Sequence, residues 1–253
     1  MKAVVLAAGR GIRLRPLTKD KPKALVELNG KPFLEWVLDA LGSAGIKSTA
    51  LVVGYLGEKI KERLGNNYNG MQLQYLQQET QLGTAKAIGL AKDFVGADSF
   101  ICTYTDVIAD QRIFKELVSE FAVDKGNVFD EAVEKVDRKF DAVIVGRNVR
   151  DPWRFGALKI SDNKVLDIVE KPMIGQEPSK IINAGIYWFS PKIFEAIEAT
   201  KKSDRGEFEI TDSIKIMAVK GRVGFKLYDG KCIDISSKED LEEAEELLKQ
   251  KNK

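Results

Sequence analysis

No histidine occurs anywhere in the 253 residues. Without imidazole there is no Ser-His or Cys-His nucleophile pair, no histidine general base and no zinc site built on histidine ligands. Cysteine is almost as scarce. Cys102 and Cys232 cannot supply a four-thiolate zinc site and are too few for the disulfide framework of a secreted domain. Both lie in apolar runs and read as buried core thiols. Neither sign of charge is in excess, with 40 Lys and Arg against 38 Asp and Glu, so the basic surface of a nucleic-acid binder is not expected and any cationic patch must be local. No apolar run approaches the ~20 residues of a membrane span. The opening AVVLAA is broken by Gly9-Arg10, too short for the apolar core of a secretion signal. A cytoplasmic location without membrane or nucleic-acid partners is the expectation. At 44% hydrophobic the chain can bury a core without disulfide or metal staples. Its chemistry must therefore run on carboxylates, Lys, Arg, amides, backbone N–H groups or an oxygen-ligated metal.

Periodicity supplies the fold class. Lys2 to Ala8, Ser48 to Val53, Gln72 to Leu76 and Ser99 to Thr103 are short apolar runs that fit buried strands, while Phe33 to Ala44, Glu58 to Leu64, Thr84 to Phe94 and Arg112 to Phe121 carry helical spacing. Strand-then-helix alternation predicts a parallel sheet covered on both faces. Residues 124 to 140 rise in charge and read as a surface helix or an excursion. Beyond them Ala142 to Val149, Gly156 to Ile160, Val165 to Val169 and Ile182 to Phe189 follow one another without helices, predicting a β-rich subregion. A helix over Glu209 to Val219, a strand over Val223 to Leu227 and a terminal helix from Lys238 complete the pattern. Ser236 with Glu239 reads as the capping box of that last helix.

The densest chemistry lies directly after the first strand. In LAAGRGIRLRPLTKDKPKAL, Gly9 and Gly11 permit a sharp turn that brings N–H groups close to an anion, and Arg10, Arg13, Arg15, Lys19, Lys21 and Lys23 crowd the same segment. Such crowding calls for a polyanion. Leu14 stands where a dinucleotide fingerprint needs its third Gly, which counts against a nicotinamide dehydrogenase, and the G-K-[ST] ending of a Walker loop is missing too.

LAAGRGIRLRPLT followed by KPKAL and GKPFLEWVL closely resembles the opening signature of the sugar-phosphate nucleotidyltransferases, the pyrophosphorylases that make nucleotide sugars. The resemblance continues through QETQLGTAKA, ICTYTDVIAD, FGALKI, VEKP, INAGIYWF and CIDISSKEDL. It implies a Rossmann-like three-layer α/β/α sandwich with a mostly parallel, mixed sheet and a small β-rich sugar-binding subregion. It also implies a single domain over 1–253, with a nucleotide-binding half to about 122, a sugar-phosphate part from about 140 to 235 and a C-terminal helix over 238–250. The left-handed β-helix acyltransferase domain of some relatives is not expected.

What the resemblance implies for individual residues is specific. Leu6, Ala8, Gly9 and Gly11 would lie over a nucleoside triphosphate, Arg13 and Lys23 would meet phosphate groups, and Gln78, Gly83 and Thr84 would receive the nucleobase. An amide such as Gln78 can pair with a pyrimidine edge, and a glycine at 83 would let a base approach the chain. Asp106 and Asp234 would hold Mg²⁺. Gly156, Glu170, Lys171, Asn183 and Gly185 would bind the sugar phosphate. Departures from the family pattern are Ile12 for Thr or Ser, Thr105 for Gly, and Ser236-Ser237 for Gly-Thr. The implied reaction is attack by a sugar 1-phosphate on the α-phosphorus of the triphosphate, releasing pyrophosphate. A phosphate monoester with a second pKa of ~6 is already ionised at neutral pH, so no histidine base is required. UTP or dTTP with a hexose 1-phosphate is the first expectation. A cytidylyltransferase acting on a polyol or choline phosphate, a catalytically silent regulatory subunit, and a homo-oligomer all stay open.

Overall fold

The computed structural model describes residues 1–121 and 139–249, so the reading of 124–140 lies almost wholly outside the described residues. The chain begins with β1 (Lys2–Ala7), a short β2 (Glu27–Leu28) and β3 (Lys31–Pro32), then α1 (Phe33–Ser43), β4 (Ser48–Val53), α2 (Gly57–Leu64), β5 (Asn67–Tyr68) and β6 (Met71–Gln77). Two short helices follow, α3 (Thr84–Gly89) and α4 (Lys92–Val95), then β7 (Phe100–Tyr104), β8 (Val107–Ala109) and α5 (Gln111–Phe121). The remaining elements are β9 (Ala142–Asn148), β10 (Gly156–Ser161), β11 (Lys164–Glu170), β12 (Ile181–Phe189), α6 (Ile193–Ala199), α7 (Ile210–Val219), β13 (Val223–Leu227), β14 (Cys232–Asp234) and α8 (Lys238–Lys249).

Ten strands form one sheet in the order β10-β11-β13-β9-β12-β7-β1-β4-β6-β5. β1 lies parallel to both β4 and β7, and β4 parallel to β6. The sheet becomes mixed at β12, which runs antiparallel to β7 on one side and to β9 on the other. Successive residues of β1 point to opposite faces, as the two-residue period of a strand requires. Ala3, Val5 and Ala7 enter a core with Leu34 of α1, Phe114 of α5 and Ala244 of α8. Val4 and Leu6 enter a second core with Ile88 of α3, Phe194 of α6 and Ile214 of α7. The result is the three-layer α/β/α arrangement with a mostly parallel, mixed sheet. No helix among the described residues is long and apolar enough to cross a membrane.

Two expectations need correction, and a third gains detail. The helix read over Thr84 to Phe94 is divided after Gly89, a residue that weakens a helix interior. The β-rich subregion read after residue 140 is present and continuous with the main sheet: β9, β12 and β13 extend it, and the β10–β11 hairpin forms its edge. The capping box of α8 is shifted by one residue. Ser237 Oγ accepts from the Asp240 N–H at 3.2 Å while the Asp240 carboxylate accepts from the Ser237 N–H at 2.8 Å. Asp240 also receives the N–H and hydroxyl of Ser236, and its carboxyl is held below the ordinary value by those donors despite its burial.

Candidate active site

The C-terminal ends of β1, β6 and β7 open onto a cavity of about 380 Å³, the place where open parallel sheets present ligands. Leu6, Ala8, Gly9, Gly11, Arg13, Lys23, Gln78, Gly83, Thr84 and Asp106 all line it. The glycine loop is shaped by its own chain. Gly11 has φ +60°, and a Cβ there would come within 2.9 Å of Thr18 Cγ2 and 3.1 Å of Lys23 Cβ. The Thr18 hydroxyl and the Leu14 N–H both donate to the Gly11 carbonyl, at 2.7 and 2.9 Å. Gly9, by contrast, faces open space.

Three of the crowded cations turn to partners of their own. Arg10 lies over the Tyr55 ring, Lys21 pairs with Glu27 at 3.5 Å, and Lys23 makes a tight ion pair with Asp106. Arg13 has no ion pair among the described residues and lines the cavity. An unpaired guanidinium at the mouth of a glycine loop is the fork-shaped donor that binds phosphate oxygens.

At the other wall, the Gln78 N–H extends the sheet by donating to the Val53 carbonyl at 2.8 Å, and Gln81 Nε2 donates to the Ala8 carbonyl at 2.7 Å. Gln81 thus ties this loop to the glycine loop. Gly83 has φ +109°, and a Cβ would lie 2.5 and 2.6 Å from the carbonyl oxygen and nitrogen of Phe208. A glycine is demanded there by that backbone as well, and Gly83 still lines the cavity. Thr84 Oγ1 accepts from the Ile210 N–H at 2.9 Å, capping α7 and leaving its own proton free to donate.

Asp106 stands two residues past β7, and Thr105 ties the preceding turn to β1 through its N–H to the Leu6 carbonyl at 3.3 Å. Asp234 arrives from the far end of the sequence on β14, whose antiparallel pairing with β8 sets Asp234 opposite Val107. The Ile235 N–H then donates to the Asp106 carbonyl at 2.9 Å. The Asp234 carboxyl is pushed up to about 6, first by burial and then by the charge of Asp106, against the pull of Lys23 and Arg147. Two like-charged carboxylates held together in this way favour a cation between them. No cluster of three or more Asp, Glu, Cys or His side chains able to hold a metal occurs among the described residues. The donor set fits a hard divalent ion that takes its other oxygens from phosphate and water.

A second group of side chains lies beyond the cavity. Gly156 pairs across β10–β11 with Glu170, and a Cβ at 156 would meet Glu170 Oε2 at 2.9 Å and Asn183 Cβ at 3.9 Å. The missing side chain therefore makes room for the Glu170 carboxylate. Burial raises the Glu170 carboxyl, while Arg205, 3.8 Å away, and Lys171 pull the other way. Lys171 is exposed at φ +46° with its N–H on the Phe155 carbonyl. Asn183 receives the Gly185 N–H on Oδ1 at 3.0 Å and donates from Nδ2 to the Tyr187 hydroxyl at 2.6 Å. Gly185, at φ +73°, accommodates the Tyr104 ring, which a Cβ would meet at 2.9 Å.

Several residues here escaped sequence reasoning. Tyr104, Gln81 and Glu207 also line the cavity, together with Ser236, read above as a cap and a departure, and Arg205 bridges Glu170 and Glu209. The run SDRGEFE, with its Arg and Glu four residues apart just before α7, was the available signal for the last of these.

A family model described as nucleotidyl transferase matches residues 2–251. The chain belongs to that family. Among nucleotidyl transferases it is 36% identical to the low-salt glycan biosynthesis nucleotidyltransferase Agl11 of Haloferax volcanii over 98% of this chain and 66% of that one. To the UTP–glucose-1-phosphate uridylyltransferase AglF of the same organism it is 34% identical, over 99% of this chain and 97% of that one. Several further curated relatives are about twice as long as the part that this chain spans. A crystal structure of a Bacillus anthracis protein assigned as a glucose-1-phosphate thymidylyltransferase, in complex with sucrose, superposes with a TM-score of 0.83 at 30% identity, covering 98% of this chain and 94% of that one.

Proposed function

We propose that the protein joins a nucleoside triphosphate to a sugar 1-phosphate, giving a nucleotide sugar and pyrophosphate, with Mg²⁺ and with UTP or dTTP and a hexose 1-phosphate as its substrates. The observation that carries this reading is the convergence of Arg13, Lys23 and Asp106 on one cavity in a nucleotidyl transferase chain. Similarity along nearly the whole length of a uridylyltransferase supports the pyrimidine nucleotide.

Each residue then has a chemical task. Backbone N–H groups of the Gly9–Gly11 turn and the Arg13 guanidinium bind triphosphate oxygens, and their positive partial and full charges stabilise the negative charge that grows on the departing pyrophosphate. Lys23 leaves Asp106 for a phosphate oxygen when the triphosphate enters. Gln78 offers one donor and one acceptor to a pyrimidine edge. Glu170 and Asn183 bind acceptor hydroxyls, and Lys171 with Arg205 meets the acceptor phosphate. That phosphate is itself the nucleophile and is ionised at neutral pH, with a second pKa of ~6, so the site needs orientation and charge rather than a base. Asp106 and Asp234 would hold Mg²⁺, which when bound neutralises the triphosphate.

The test is a matrix of UTP, dTTP, CTP, ATP and GTP against hexose, N-acetylhexosamine and polyol or choline phosphates with Mg²⁺, scored by pyrophosphate release. Turnover concentrated on a pyrimidine triphosphate with a sugar 1-phosphate is expected. Turnover only with a non-sugar phosphate, or none in any combination, overturns the reading.

A further inference from the structure

Arg10 stands on the Gly9–Gly11 turn itself and lines the nucleotide cavity beside Gly9, Gly11 and Arg13. It is exposed, and its side chain makes no hydrogen bond or ion pair among the described residues. What holds it is a ring. Its guanidinium carbon lies over Tyr55, 5.9 Å from the ring centroid, within the distance at which a ring face attracts a cation. Such an attraction engages no hydrogen-bond acceptor, so the N–H donors of the fork stay unspent.

Tyr55 is itself fastened down. It lies in the turn between β4 and α2, and its hydroxyl donates to the Lys19 carbonyl at 2.7 Å, while Lys59 Nζ of α2 donates to the Asp20 carbonyl at 2.6 Å. These two bonds join that turn to the far limb of the glycine loop. The near limb is close as well, since a Cβ on Gly54 would meet the Ala8 side chain at 3.1 Å and the Ala8 carbonyl oxygen at 3.2 Å. The ring therefore has a fixed place beside the loop, and a long flexible side chain laid over it gives up rotamer freedom before any ligand arrives.

Position decides which part of a substrate Arg10 can meet. With the base on the Gln78–Gly83 wall and the cation at Asp106 and Asp234, as proposed above, the β- and γ-phosphates fall over the turn that carries Arg10. We propose that Arg10 is a catalytic residue that binds the terminal phosphates of the triphosphate, the end that departs as pyrophosphate, and that the Tyr55 ring is its positioning residue. The inference rests on the function proposed above. A forked donor at that end takes two phosphate oxygens at once and offsets the charge that gathers on the leaving group as its bond to the α-phosphorus breaks.

Arg10→Ala, Tyr55→Phe and Tyr55→Leu test it through two ligands that share the leaving end and one that lacks it. Calorimetric titration with Mg²⁺ present would measure UTP, or the triphosphate that the substrate matrix selects, together with pyrophosphate and UDP-glucose, against wild type and each variant, with thermal unfolding alongside. Arg10→Ala is expected to weaken the triphosphate and pyrophosphate about five- to twentyfold each, as loss of an exposed charged donor should, with UDP-glucose within about twofold. Tyr55→Leu is expected to weaken the same two ligands about two- to threefold further than Tyr55→Phe, which keeps the ring and loses only the hydroxyl. In an Arg10→Ala background that difference between Leu and Phe should vanish, because the ring then has no cation to hold. Triphosphate and pyrophosphate affinities unchanged by Arg10→Ala overturn the proposal, and so does an equal loss for UDP-glucose, the mark of a disturbed loop rather than a lost contact. A Leu variant that binds as well as the Phe variant overturns the role of Tyr55. A wild type that binds triphosphate and pyrophosphate through Arg10 yet turns over no sugar 1-phosphate removes the proposed acceptor and leaves this inference standing. An active wild type with an indifferent Arg10→Ala removes this inference alone, and a wild type that binds neither ligand removes both.

Discussion

At the nucleotide end Gly9, Gly11, Arg13, Gln78 and Asp106 are delivered by loops that follow the parallel strands β1, β6 and β7, whereas at the proposed acceptor end Gly156, Glu170, Asn183 and Gly185 sit on β10, β11 and β12 themselves. A loop residue is free to face a ligand but is held by few neighbours, which is why Arg13 meets the cavity without an ion pair among the described residues. A strand residue is placed by the sheet and then trimmed by its side-chain partners, as Asn183 is by Gly185 and Tyr187. The first construction suits groups that must move onto a charged substrate during reaction. The second suits groups that measure the shape of a neutral one. The two ends should therefore fail differently when damaged.

The sharpest contrast is expected at Asp106. Asp106→Asn should lower Mg²⁺-dependent kcat by about 10²–10³-fold or more, the scale of losing a charge-stabilising group, while the circular dichroism spectrum stays unchanged. Wild-type turnover in that variant would move the cation elsewhere. Arg13→Ala should follow with a fall in kcat of about 10²-fold and little change in unfolding temperature. Glu170→Ala, the matching lesion at the other end, should raise the acceptor KM about tenfold and leave the triphosphate KM alone. If Arg13→Ala acted only on the acceptor KM, or Glu170→Ala only on kcat, the division between the two ends would be lost.

Gly83→Ala tests the seam between them, because Leu82 and Ala85 exchange backbone hydrogen bonds with Phe208 across it. Overpacking against that backbone at φ +109° should cost about 1–3 kcal/mol in urea unfolding. A neutral result would show that the seam is slack.

Acid separates the ends in another way. The folded chain holds the Asp234 proton more tightly than an unfolded one, so ionisation of this group removes stability as the pH rises from the ordinary 3.8 to about 6, and the loss persists above. Asp234→Asn should thus raise the unfolding temperature of the metal-free protein at pH 8 and lose that advantage below pH 4, while abolishing Mg²⁺-dependent turnover. In the wild type, the Mg²⁺ concentration needed for half-maximal turnover should climb as the pH falls through about 6. The smallest effect belongs to Ser237→Ala, which removes the α8 cap at a cost of about 1 kcal/mol and should spare both KM values.

How much of this was legible beforehand follows the same division. β1, β4 and β7 are continuous apolar runs buried on both faces, and such runs identify themselves. The glycine loop is equally plain, since Gly11 at φ +60° and the cations around it leave a compositional mark. The acceptor end is quieter. Glu170-Lys171 looks like any charged strand end, and its meaning comes from Gly156 opposite and Asn183 alongside, partners fixed by long-range pairing that no local pattern encodes. Tyr104 reads as one more core aromatic until Gly185 is seen to make room for it. The capping box was misplaced by one residue because Ser236, Ser237, Glu239 and Asp240 offer two frames, and only the hydrogen bonds choose between them.

The two-stranded ribbon of β8 and β14 has a bearing on biosynthesis. Asp106 leaves the ribosome early and Asp234 late, so a growing chain cut short before Cys232 carries one of the two carboxylates proposed to hold the ion, however well its first strands have folded. On the function proposed above, such a fragment is expected to show no Mg²⁺-dependent turnover, and a truncation series assayed for pyrophosphate release would show it.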